Sequence, residues 1–165
     1  MLRRVLDKLA GKQATPVDAH CDVPCAIYDT GPILISALTV VRMIDIMEEW
    51  NSHKPDSDIA YQNAMSRCIA QKEQHAEDVK HEVRVIWGDY LKAPQFEKYP
   101  NAHELVHNIM LTGSKCKQGV DRADALKLVE LCNEFAEMFW ATKDVKTTRA
   151  VCPYKPSLET VYPVL

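Results

Sequence analysis

The sequence predicts an all-α protein, an antiparallel four-helix bundle, on three observations. Apolar residues recur at helical spacing over four segments, the connections between those segments are short, and glycine is scarce, 5 in 165 residues. A chain of this length fits one domain. Its 47% of hydrophobic residues is enough to bury a core, which excludes a mostly disordered chain. Ahead of the bundle lie a charged leader and a short segment with two cysteines. Behind it lies an arm without clear periodicity, expected to be extended.

The first helix is expected from about Pro32, a favourable first-turn proline, to about His53, with Ala37, Val40, Val41, Ile44 and Met47 as its apolar stripe. The turn His53-Lys54-Pro55-Asp56-Ser57 ends it and offers Asp56, Ser57 or Asp58 as the next N-cap. The second helix runs from about Ile59 to Leu91. Tyr61, Met65, Cys68, Ala76, Val79, Val83, Ile86 and Tyr90 make its stripe, interrupted at the middle by Lys72 and His75. A loop with Pro94 and Pro100 leads to a third helix over about Asn101–Leu111. The segment Gly113–Gly119 reads as a turn. The fourth helix, about Asp121–Lys143, carries Leu128, Leu131, Cys132, Phe135, Phe139 and Trp140. The arm, residues 144–165, holds Pro153, Pro156 and Pro163.

Charge excludes some functions. Twenty basic residues are scattered against 23 acidic ones, net −3, so no basic stripe argues for nucleic acid. No run approaches the roughly 18 apolar residues that span a bilayer, because Arg42 and Asp45 break the longest candidate, Pro32–Met47. The leader has Arg3 and Arg4, then Asp7 and Lys8 where a secretory core should be apolar. The expected compartment is the cytoplasm, with organelle targeting by the leader as the alternative. Six cysteines raise the question of disulfides, but the core is large enough without staples. Cys68 and Cys132 fall inside helical apolar patterns, where a thiol acts as a small hydrophobe. Cys116 and Cys152 have no partner at a telling spacing.

Cys21 and Cys25 stand apart, within His20-Cys21-Asp22-Val23-Pro24-Cys25-Ala26-Ile27-Tyr28-Asp29. A single Cys-x-x-x-Cys reads as coincidence or as half of a zinc site. A zinc site needs further ligands at short spacing, and the other cysteines form no such pair. A catalytic disulfide favours Cys-x-x-Cys at a helix start, which is absent.

This segment resembles the start of the mature chain in the nickel superoxide dismutases, His-Cys-Asp-x-Pro-Cys-x-x-Tyr-Asp, matched here from His20 to Asp29. Two further stretches resemble the same family. One is Lys72-Glu73-Gln74 followed by Trp87-Gly88-Asp89-Tyr90, Lys92, Pro94 and Phe96-Glu97-Lys98-Tyr99-Pro100; the other is Phe139-Trp140-x-Thr142-Lys143. The resemblance covers roughly residues 20–143, and the fold class from periodicity agrees with it independently.

The resemblance implies a metal-binding hook with one nickel ion per subunit. Its ligands would be the His20 amine, the Cys21 amide nitrogen, the Cys21 and Cys25 thiolates, and the His20 imidazole as axial ligand in the oxidised state. Superoxide would disproportionate to dioxygen and hydrogen peroxide by Ni(II)/Ni(III) cycling. Thiolates and a deprotonated amide push electron density onto nickel and bring Ni(III) within reach, and soft sulfur with nitrogen in a planar array suits Ni(II). Pro24 helps turn the chain so that Cys25 closes the plane. Asp22 matches a position that orders the loop. Tyr28 matches the tyrosine beside the metal that orders small molecules on its open side, and Tyr90 matches a second one near it. Taken singly, a tyrosine on an apolar helix stripe is more often core than catalyst. Lys92 stands where a basic residue attracts an anion despite the net charge.

The scheme gives the leader a meaning. While Ala19 is joined to His20, the His20 nitrogen is an amide and not the amine ligand. Residues 1–19 therefore resemble the family's propeptide, removed by a dedicated peptidase, ahead of the hook and bundle over 20–143 and the arm over 144–165. A homohexamer is implied as well, with superoxide as substrate and neither nucleic acid nor membrane as partner. The chain also departs from the family. Aligned without gaps from Tyr28, the glutamate that supports the axial imidazole falls on Ser36, and the arginine after Lys-Glu-Gln falls on His75. Both charged supports are replaced together, which leaves no unpaired charge but changes how His20 is held. The rival readings are an inactive or weakly active metal-binding relative, and a helical interaction module with an incidental cysteine pair.

Overall fold

A computed structural model describes residues 25–165; His20, Cys21, Asp22 and Pro24 lie outside the described residues. Four long helices carry the fold: α1 (Gly31–Ser52), α2 (Asp58–Val85), α4 (Ala102–Gln118) and α5 (Arg122–Thr142). A π-helical turn, Ile86–Tyr90, continues α2, and a short helix, α3 (Ala93–Lys98), precedes α4. Helix α1 packs on α2, α2 on α4, α4 on α5, and α5 back on α1, which closes the four into a ring around one core. The antiparallel bundle that the apolar spacing predicts is the observed architecture.

Each long helix has a local cause. The Asp29 carboxylate accepts the Gly31 N–H at 2.6 Å and Pro32 sits in the first turn, so α1 starts where a free donor is answered and a missing one costs nothing. Its face of Ile33, Ala37, Val40, Val41 and Ile44 is fully buried. The Ser57 hydroxyl accepts the Ala60 N–H at 3.3 Å to open α2. In α2 burial is confined to the second half, at Lys72, Ala76, Val79 and Val83, while Tyr61, Met65 and Cys68 on the expected stripe are half-buried. Asp121 caps α5 through the Ala123 N–H at 2.8 Å, and Leu128, Phe135 and Phe139 fill the centre.

The structure departs from the sequence-based expectation in several places, beginning with α3, a helix where a loop with Pro94 is expected. The segment Gly113–Gly119 is not a turn: α4 continues to Gln118. Gly113 is buried where a Cβ would lie 3.1 Å from Lys80 Cγ, so this glycine serves close approach of α2 to α4 and does not break the helix. Lys72, which interrupts the apolar stripe on paper, is 2% exposed and donates its ammonium to the carbonyls of Cys116 and Lys117 at the end of α4. Those carbonyls have no partner inside their own helix, so a buried cation and unsatisfied acceptors answer each other. Burial pushes the Lys72 pKa below its usual value. A turn further along α2, Glu77 accepts from Lys117 at 2.9 Å and from Arg84 at 3.0 Å, and these bonds hold its carboxyl down at about 2.

The arm is a β-hairpin. Strands β1 (Thr147–Val151) and β2 (Glu159–Pro163) pair antiparallel with Arg149 opposite Val161. The hairpin docks on α5. Asn133, 1% exposed, donates through Nδ2 to the Glu159 carbonyl and accepts the Val161 N–H, both at 3.0 Å. Arg149 reaches the Glu137 carboxylate at 2.7 Å and that of Glu130 at 2.8 Å, and both carboxylates raise its pKa. Cys152 and Val161 are buried beneath the hairpin. Among the described residues no helix is long and apolar enough to cross a membrane.

Because one carboxamide answers two backbone groups of β2, Asn133→Ala is expected to leave both without their partner and to cost about 2 kcal/mol. Hydrogen exchange should quicken at the Val161 amide while the amides of α1 and α2 stay protected. Equal loss of protection throughout would show that the hairpin and the bundle unfold as one unit.

Candidate metal centre

The described chain begins at Cys25, which is half-buried, and turns at once. Ala26 has φ 57°, a left-handed conformation in which a side chain is disfavoured. This turn separates the cysteine from exposed Ile27 and half-buried Tyr28. Asp29 and Thr30 then anchor the chain to the bundle. The Thr30 side chain, 1% exposed, accepts the Trp140 indole N–H at 3.1 Å, tying the start of α1 to the end of α5.

One or more residues from each of the three stretches singled out in the sequence meet here: Tyr28, Tyr90, and Phe139 with Trp140 and Lys143. The Tyr28 ring lies 5.4 Å from the Tyr90 ring, Tyr90 lies 5.1 Å from Phe139, and Phe139 meets Trp140 edge-on at 5.1 Å. The Lys143 ammonium stands 4.6 Å from the Tyr90 centroid and 5.1 Å from that of Phe139. The Tyr90 hydroxyl bonds the Thr142 hydroxyl at 2.7 Å. Tyr90 owes its place to the π-helical turn, whose extra residue per turn is sealed by the Leu91 N–H on the Ile86 carbonyl at 3.0 Å. Lys92 is exposed and donates to the Gly88 carbonyl at 3.2 Å.

A second contact set pins this turn to α4. The Trp87 indole N–H donates to His103 Nδ1 at 3.0 Å, and the His103 ring stacks on Phe96 at 4.2 Å. A ring that accepts at Nδ1 carries its proton on Nε2. Thr30 and His103 had no mark in the sequence. Thr142 and Lys143 stood inside the third quoted stretch, and their place in that stretch was the signal available.

Tyr28 and Tyr90 are thus brought together. Ser36 is 8% exposed on the inward face of α1. His75 is half-buried, and its Nδ1 lies 2.8 Å from the Gln71 carbonyl one turn back on α2, so that nitrogen is a donor. The remaining thiols divide by burial. Cys116, Cys132 and Cys152 are buried; burial pushes the Cys116 thiol up to about 11 and the Cys132 thiol higher still. Cys116 and Cys132 therefore stay protonated at neutral pH and do not compete as ligands. Among the described residues no group of three or more His, Cys, Asp or Glu side chains could hold a metal ion. Two cysteines and a histidine lie within six residues, His20 to Cys25, a combination of donors that suits a thiophilic metal, and Cys25 stands three residues before Tyr28 in the chain.

Comparison with known proteins places the chain. Residues 15–143 match the family described as nickel-containing superoxide dismutase. The nickel superoxide dismutase of Streptomyces coelicolor is 36% identical over 139 residues, 84% of this chain and 98% of that one. That of Streptomyces seoulensis is 35% identical over 127 residues, 77% of this chain and 90% of that one. Among solved structures, native nickel superoxide dismutase superposes with a TM-score of 0.64 at 36% identity, covering 75% of this chain and 99% of the other. The hairpin lies beyond the matched residues. With a family match over most of its length and relatives of the same kind in sequence and in structure, the chain belongs to the nickel-containing superoxide dismutase family.

Proposed function

We propose that the chain disproportionates superoxide, with His20, Cys21 and Cys25 holding nickel and Tyr28 and Tyr90 walling the open side. The observation that carries this is the convergence of Tyr28, Tyr90, Phe139 and Lys143 at the end of the bundle where the hook enters. When bound, nickel supplies a one-electron couple, Ni(II)/Ni(III), through which two superoxide anions and two protons give dioxygen and hydrogen peroxide.

The protein's part is to bind, crowd and attract. The Cys21 and Cys25 thiolates and the nitrogens of His20 and Cys21 form the donor set. The left-handed Ala26 turns the chain just after Cys25; by the family resemblance Pro24 would help turn the chain before it and Asp22 would order the loop. The aromatic pair crowds the space and admits only small molecules. Lys143 over the Tyr90 ring and Lys92 just beyond the π-helical turn place two cations on a chain of net charge −3, which favours the approach of a small anion. Ser36 and His75 replace a charged support of the His20 imidazole with a neutral or weakly basic one. The wider reading is a precursor whose residues 1–19 are cut off by a peptidase, matured as a homohexamer in the cytoplasm.

The His20 nitrogen is an amine donor only after cleavage behind Ala19. Intact mass of the active protein should match a chain beginning at His20; full activity with residues 1–19 attached would end this reading.

Cys21→Ser or Cys25→Ser should reduce dismutase activity to background, because a serine hydroxyl supplies no soft anionic sulfur. Far-ultraviolet circular dichroism should hardly change, since the hook precedes the periodic core. Substantial activity in either variant would rule out ligation by both thiolates.

Ser36→Glu and His75→Arg should each be harmful alone, one adding an unpaired buried carboxylate and the other an unpaired cation. Together they should be better tolerated, and a double-mutant cycle on activity and on the nickel spectrum reads the coupling. Additive effects would mean that the two positions do not share the support of His20.

A further inference from the structure

The third quoted stretch, Phe139-Trp140-x-Thr142-Lys143, holds one residue to which the dismutase reading gives no task. Thr142 lies in the last turn of α5, and its hydroxyl donates to the Phe139 carbonyl at 2.6 Å. A hydroxyl has one proton. In the 2.7 Å contact with Tyr90, Thr142 therefore accepts and Tyr90 donates. A threonine that bonds a carbonyl three residues back is held to few side-chain rotamers, which fixes the acceptor in space. The Tyr90 ring it holds is bounded by Tyr28, Phe139 and the Lys143 ammonium.

We infer that Thr142 is a positioning residue for the dismutase site: it commits the Tyr90 proton, and through the ring contact it sets the place of Tyr28. The inference rests on the dismutase reading for its effect on rate, though not for the hydrogen bond itself. It gives the two tyrosines unequal roles. A small molecule held against the pair meets Tyr90 as an acceptor through its lone pairs and not as a source of a proton. It also explains why threonine, with an acceptor and a restricted rotamer, stands beside Lys143 at the helix end.

The test compares Thr142→Val, which keeps shape and removes the acceptor, with Thr142→Ser, which keeps the acceptor, each with and without Tyr90→Phe. Superoxide decay after pulse radiolysis is followed on the nickel-loaded protein. The Raman tyrosine doublet, whose intensity ratio reports whether a phenol donates, is followed on the metal-free protein. The expected result is a fall in rate of about fivefold for Thr142→Val, the worth of one net hydrogen bond, with recovery in Thr142→Ser. The doublet should shift in Thr142→Val alone, and in the Tyr90→Phe background Thr142→Val should change neither readout. An unchanged doublet, a serine variant as poor as the valine one, or an effect that persists without the Tyr90 hydroxyl would each overturn the assignment. If the nickel-loaded parent shows no dismutase activity, the dismutase reading fails, while the Raman cycle still decides whether Thr142 commits the Tyr90 proton.

Discussion

The Trp140 indole N–H and the Thr30 hydroxyl meet at 3.1 Å across a separation of 110 residues, and the placement of the candidate site depends on that contact. It joins the first residue before α1 to the last turn of α5. Ordering a segment costs conformational entropy at every residue, and a segment fixed at its root loses less on being ordered. Thr30 is buried, Asp29 answers the first helical N–H, and Tyr28 rests against Tyr90, so the chain is held at consecutive residues just after Cys25. The contact also explains why stretches far apart in sequence act together. Helices closed into a ring bring the end of α2, the start of α1 and the end of α5 to one pole of the bundle.

Where the end of α4 packs on the middle of α2 the same fold must solve a different problem, the helix carbonyls and charges that packing takes out of water. Lys72 shows the solution. Its stem runs through the apolar interface of α2 with α4 and its ammonium meets the carbonyls of Cys116 and Lys117, so the desolvation that lowers its pKa is offset by two strong acceptors. Gly113, one turn before Cys116, lets the helices come close enough for this reach. A lysine and a glycine that look like breaks in an apolar pattern are thus complementary parts of one helix contact.

This is also where legibility in the sequence ended. Fold class, the approximate bounds of α1, α2 and α5, and the ordered motifs were readable because helical period and residue type are local signals. Gly113 was misread as a turn because a lone glycine carries the same local signal whether it ends a helix or admits a neighbour; only the position of Lys80 separates the two. The hairpin was unreadable for another reason. Strands of five residues bounded by prolines give too short an alternation, and β2 buries Thr160 and Val161 side by side because it docks on α5 rather than lying on a two-faced sheet. In the site, the Tyr28–Tyr90 pairing was legible from family resemblance. The π-helical turn that aims Tyr90, the left-handed Ala26 and the roles of Thr30 and His103 were not, since each is settled by tertiary partners.

The hairpin lies beyond the residues that match the family and packs on the bundle. Its β2 residues Thr160, Val161, Tyr162 and Pro163 line a mainly apolar cleft of about 140 Å³ together with Asp29, Thr30 and Trp140. The hairpin thus flanks the Thr30–Trp140 contact, and Phe139 meets the Trp140 ring edge-on. A hydrogen bond between partly buried groups strengthens as water is excluded from it. The hairpin is held in turn by Asn133 of α5, which bonds Glu159 and Val161 of β2, and by Arg149 of β1, which reaches Glu137 and Glu130 of α5. Helix α5 and its C-terminal cap therefore carry both faces of the arrangement, presenting Phe139, Thr142 and Lys143 toward Tyr90 and Asn133, Glu130 and Glu137 toward the hairpin.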